Sequence, residues 1–157
     1  MNAVTQIDPD RWGELYEEAF PDVYRALVAT LLDREAARDA LQDAFVIGLE
    51  RPPRDINLKG WLFRVALRRA RRGLRRLPRF FAPPRGGENV IEQALDRVEA
   101  GRLLLFLSER QRAIVVAHYY LGLSQVEIAA SLGIARGTVG ATITKALARM
   151  RTGDVIA

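Results

Sequence analysis

Apolar residues recur every three or four positions along most of the chain, and this spacing predicts helices. Trp12, Leu15, Tyr16, Ala19, Phe20, Val23, Leu27 and Leu31 form the stripe of a first helix over 10–32. Pro21-Asp22 falls inside it, and because proline suits a first helical turn, the helix is expected to restart there. Asp33 stands where an N-cap carboxylate would accept a backbone N–H, which opens a second helix over 34–50. Its inner positions are Ala37, Leu41, Ala44, Phe45 and Gly48, while Asp39, Gln42, Asp43, Val46 and Glu50 share the opposite side. Arg51-Pro52-Pro53-Arg54-Asp55 interrupts the pattern, because proline blocks continuation. A third helix over 58–77 sets Leu62, Phe63, Ala66, Leu67, Ala70, Leu74 and Leu77 against a face of Arg64, Arg68, Arg71, Arg72, Arg75 and Arg76.

Residues 78–89, PRFFAPPRGGEN, contain three prolines and two glycines and read as a flexible linker. Helical spacing then resumes at Ile91, Leu95 and Val98, continues through 103–107, and passes Ile114, Val115, Ala117 and His118. No strand-like alternation and no internal repeat appear. The expected architecture is all-α, with two small helical domains, 1–77 and 90–157, joined by the linker.

Composition narrows the function. Apolar residues make up 49% of the 157, enough to build a core. There is no cysteine, which excludes disulfides and thiol chemistry. The N-terminus lacks the basic start and apolar core of a signal peptide, and no apolar run approaches the roughly 20 residues that span a bilayer. A cytoplasmic protein without membrane insertion is expected. The net charge of +5 hides a strong asymmetry. Residues 1–50 hold 4 basic and 11 acidic side chains, whereas residues 51–87 hold 12 basic and 1 acidic, 11 of the 12 being arginine. A segment so rich in guanidinium suits a polyanion, since arginine grips phosphate and base edges bidentately. Taken alone, it also reads as a solvated helix face.

Residues 124–145, SQVEIAASLGIARGTVGATITK, follow a helix-turn-helix pattern. Ile128, Ala129 and Leu132 line the inner face of the first helix, Gly133 fits a turn that needs positive φ, and Ile134 and Val139 anchor the second helix. In such a motif the start of the second helix meets base edges in the major groove. Arg136, Gly137, Thr138, Gly140 and Ala141 hold those positions, and only Arg136 can make a bidentate guanine contact. Thr144, Lys145 and Arg149 lie further along, better placed for phosphates.

These segments together resemble the extracytoplasmic-function sigma factors of the sigma-seventy family. WGELYEEAFPDVYRAL resembles the start of region two, and AARDALQDAFVIGLE resembles the segment that docks on the polymerase clamp. WLFRVALRRARRGLRR, from Trp61 to Arg76, resembles the helix that meets the minus-ten element. Residues 107–151 resemble region four, which reads the minus-thirty-five element. The resemblance implies binding to core RNA polymerase at its clamp and flap regions, with Asp39, Gln42, Asp43, Val46 and Glu50 docking on the clamp. It implies promoter DNA binding by Trp61 and the arginine face, and by the second helix of the helix-turn-helix. An anti-sigma factor is a further implied partner. The chain departs from the family where Arg68 and Arg72 replace an asparagine and an aspartate. Ala135, Gly140, Ala141 and Thr142 likewise replace serine, lysine, serine and arginine. A sigma-like regulator that binds polymerase or a protein partner without opening promoters is therefore the alternative.

Asp39, Gln42 and Asp43 form an ordinary solvated face when taken alone, and Trp61 is either core or a stacking platform for single-stranded DNA. His118, the single histidine, has no companion metal ligand or nucleophile pattern. No phosphate-cradling glycine loop is present, so no cofactor, metal or enzymatic activity is expected.

Overall fold

The computed structural model describes residues 7–54, 57–76 and 98–156, and among them the regular structure is entirely helical. The elements are α1 (Pro9–Leu31), α2 (Arg34–Glu50), α3 (Leu58–Arg76), α4 (Val98–Leu104) and α5 (Glu109–Val115). A π-helical turn (Val116–Tyr120) extends α5, and α6 (Gln125–Leu132) and α7 (Arg136–Ile156) follow. The linker assigned to 78–89 lies outside the described residues, as does the expected last residue of the third helix, Leu77.

Local chemistry sets the boundaries. Asp8 caps α1 ahead of Pro9, and Leu32 closes it in the left-handed region, its N–H donating to Val28 O at 2.8 Å. The Asp33 carboxylate accepts from Ala36 N at 3.0 Å, as its N-cap position predicts. Asn57 Oδ1 accepts from Gly60 N at 3.2 Å and starts α3. Ser108 and Ser124 form capping boxes with Gln111 and Glu127. One expectation fails: α1 runs through Pro21 without a restart. Pro21 is exposed, while Ala19 and Val23 on either side of it are buried. Burial along the flanking stripe offsets the roughly 3 kcal/mol that an interior proline costs.

Helices α1 to α3 pack around Trp12, which is fully buried and donates from Nε1 to Phe45 O at 3.1 Å. Its ring stacks on Phe45 with centroids 6.2 Å apart and meets the edge of Trp61 at 5.6 Å. Gly48 is glycine because a Cβ there would overlap the Trp12 indole. Ala37, Leu41 and Ala44 fill the rest of the α2 inner face, as its periodicity predicts.

The C-terminal helices pack on one another and also on the N-terminal three, so one hydrophobic core runs through both groups. Phe63 and Leu67 of α3 meet Ala113, Ala117, Leu123 and Ile128 across a seam whose residual cavity is only about 10 Å³. At Gly60 an ideal Cβ would stand 2.8 Å from Leu123 Cδ2, so the two groups approach closely there. Arg112 adds a polar tie. Its Nε donates to Thr30 O at 3.0 Å and its Nη1 to Leu107 O at 2.7 Å. Helix α1 has no basic residue in its last turn, so Arg112 supplies the cation that its C-terminal carbonyls favour.

Candidate nucleic-acid interface

Three surfaces carry the residues singled out from the sequence. On α2, the capped start and the buried Ala37–Leu41–Ala44–Gly48 stripe fix the helix roll, and Asp39, Gln42, Asp43, Val46 and Glu50 all point outward. Val46 is 51% exposed, and Leu49, which sequence reasoning did not single out, joins it at 43%. Both are apolar side chains left in water beside acids. Asp43 has a partner: Arg69 Nε lies 3.5 Å from Oδ2. The pair is close to half exposed on both sides and contributes at most about 1 kcal/mol. Arg69 was missed because only the opposing arginine stripe was counted as functional.

The second surface is α3. Arg68 and Arg72 are exposed, Arg64 and Arg71 half-buried. These four line a cleft of about 290 Å³ with Leu67 of their own helix and Ser131 and Leu132 at the end of α6. Arg71 is also paired with the C-terminal group, its Nε 3.1 Å from Glu109 Oε1 at the start of α5. Arg75 and Arg76 belong to α3, but their side chains lie outside the described residues. Trp61 is half-buried and edge-on to Trp12, so part of its ring supports the core.

The third surface is the α6–α7 pair. Gly133 closes α6 at φ 66°, the left-handed conformation that its place in the sequence predicts. Ile128, Ala129 and Val139 are buried between the helices, with Ile143 and Ala146 continuing the seam. This leaves Arg136, Gly137, Thr138, Ala141, Thr144, Lys145 and Arg149 exposed, with Gly140 half-buried. Thr142 donates to Thr138 O at 2.7 Å and Thr144 to Gly140 O at 3.0 Å, so both hydroxyl protons turn back onto the helix. Arg149 donates from Nη1 to Gln111 Oε1 at 3.0 Å, which ties it to the start of α5. Gln125, not singled out from the sequence, lies against Gly140.

The electrostatics are plain. Burial holds the Arg112 guanidinium below the usual arginine range, and the nearby Glu109 charge opposes part of that shift. Burial pushes the Tyr16 hydroxyl above its ordinary value. His118 Nδ1 sits 2.8 Å from Leu123 O and fastens the loop after the π-helical turn. Among the described residues no cluster of acids and histidine could hold a metal ion, and no helix is long and apolar enough to cross a membrane.

Comparison with known proteins covers both helical groups. The family described as Sigma-70 region 2 matches residues 15–80, and the family described as Sigma-70, region 4 matches residues 97–150. The chain is 31% identical over 153 residues to the ECF RNA polymerase sigma factor SigM of Mycobacterium tuberculosis, covering 90% of this chain and 76% of that one. It is 37% identical over 80 residues to the RNA polymerase sigma-E factor of Streptomyces avermitilis, covering 51% of this chain and 45% of that relative's length. The fold matches that of the sigma factor RpoE from Bartonella quintana, solved in complex with the anti-sigma factor NepR. The TM-score is 0.69 at 17% identity, over 90% of this chain and 94% of that one.

Proposed function

The chain belongs to the sigma-70 family, in its extracytoplasmic-function group, and from that premise we propose that it is an alternative sigma factor directing core RNA polymerase to specific promoters. One observation carries the reading. A single chain holds, in order, an acidic and apolar exposed helix face, an arginine helix and a helix-turn-helix, spread over both family regions. In this reading residues 1–77 form the clamp and minus-ten unit, 78–89 the linker, and 90–157 the minus-thirty-five unit. Asp39, Gln42, Asp43, Val46 and Glu50 dock on the polymerase clamp, with Leu49 adding apolar area. Arg64, Arg68, Arg71, Arg72, Arg75 and Arg76 hold the minus-ten region, with Trp61 beside them. Helix α7 reads upstream duplex. Such a protein works in the cytoplasm as an initiation factor without chemistry of its own, and an anti-sigma factor is a natural partner for the same faces.

A second reading, a sigma-like regulator that binds polymerase without opening promoters, draws on the α3–α6 cleft. Four of the minus-ten arginines border it and Arg71 is paired to Glu109 of α5, so the C-terminal helices take up part of the face that promoter DNA would use.

The docking test reverses two charges on α2. Asp39→Arg with Asp43→Arg removes the Asp43–Arg69 pair but no buried contact, so the circular dichroism of the fold should persist. Affinity for core polymerase should fall at least roughly tenfold, since like-charge juxtaposition at a complementary interface costs several kcal/mol and about 1.4 kcal/mol is already tenfold. Unchanged affinity removes this face from the interface.

A further inference from the structure

Gly140 stands one helical turn beyond Arg136, on the part of α7 that enters the major groove in the reading above. An ideal Cβ at Gly140 would lie 3.2 Å from Gln125 Oε1 and 4.0 Å from its Cδ. The carboxamide of Gln125, from the first residue of α6, therefore lies where a side chain at 140 would leave the helix. Gly140 is more than a missing polar group: a Cβ there would crowd that amide, and glycine leaves it room against α7.

The surroundings say what the amide is for. Gly137, Gly140 and Ala141 carry no hydrogen-bonding side chain. The Thr142 and Thr144 hydroxyls donate to their own helix. Among the described residues no hydrogen bond engages the Gln125 side chain. Beside Arg136, which only donates, it is the group at this end of α7 that offers a donor and an acceptor in one plane. That combination fits adenine, whose N7 accepts and whose N6 donates in the major groove.

We propose that Gln125 is a specificity-determining residue, reading one adenine of the upstream promoter element from the place left open by Gly140. The proposal rests on the reading of α6 and α7 as the upstream DNA reader. It differs from a contact made by α7 alone, because the reading group is delivered by the neighbouring helix and positioned by the absence of a side chain at 140.

The test uses the full-length protein assembled with core polymerase and a duplex library in which every upstream base pair is varied in turn. Gln125→Ala should lose roughly tenfold of preference at one A·T pair while preferences elsewhere persist. Gln125→Glu keeps the shape, removes the donor and should lose preference at the same pair. Gly140→Ala should weaken that pair too, because the added Cβ must push the amide aside by a few tenths of an ångström. Circular dichroism reports whether each variant folds. The assignment is overturned if Gln125→Ala keeps every preference, or if it weakens all sequences alike, as loss of a phosphate contact would. If the unsubstituted holoenzyme shows no upstream preference at all, the reading beneath the proposal falls and takes the assignment with it.

Discussion

Replacing Arg112 with methionine tests how the two helical groups are held together. The substitution keeps an unbranched apolar stem and removes the two hydrogen bonds to Thr30 O and Leu107 O. Hydrogen bonds from a charged donor contribute about 1.5–3 kcal/mol each, and a half-buried site takes the low end, so the pair is worth about 3 kcal/mol. Solvent screening at the half-exposed guanidinium lowers that figure. The net cost should be about 2 kcal/mol, a large fraction of the 5–15 kcal/mol that stabilises a typical domain. Urea unfolding followed by far-ultraviolet circular dichroism measures it. Arg112→Lys keeps the charge without the planar fork and should fall between the two. Because the bond to Thr30 O bridges the groups, the methionine variant should also unfold in two phases where the natural chain shows one. A methionine variant within about 0.5 kcal/mol of the natural chain, unfolding in a single phase, would refute the claim that Arg112 ties the groups together.

Two further outcomes follow from the core. Gly48→Ala should destabilise by about 2 kcal/mol in the same unfolding assay, although alanine gains about 1 kcal/mol in an open helix, because the new methyl overlaps a fully buried Trp12; a stabilised variant contradicts the packing. Burial raises the Tyr16 pKa above 10.0, so the folded chain holds that proton more tightly than the unfolded one. Its contribution is complete below pH 10.0 and is lost as pH rises through the raised value. Tyr16→Phe should therefore flatten the alkaline decline in Tm, and equal slopes for the two proteins would exclude this cause.

Much of the fold was legible in the sequence because its signals are local. The stripe from Trp12 to Leu31, the Asp33 cap and the glycine at 133 each act within one or two turns, and each lies where the pattern puts it. Pro21 misled because its penalty is local while the burial of Ala19 and Val23 that outweighs it is tertiary. The exposed face of α2 was readable from heptad-like spacing, but Leu49 was not, since an apolar residue there looks like core until the helix roll is known. Arg112, Arg69 and Gln125 escaped for a common reason. Each acts on a residue 15 to 82 positions away, and nothing in periodicity reveals such a partner. Gly140 shows the same limit: from sequence it is a lost contact, and only its neighbour across the helix pair gives it a role.

Run-off transcription by core RNA polymerase, with and without this chain, on a fragment library of bacterial genomic DNA tests the central claim most directly. The account predicts transcripts that depend on the chain, start at discrete positions, and share an upstream element at a fixed distance. A chain that binds core polymerase yet yields no transcript above core alone would contradict it and favour the non-initiating regulator.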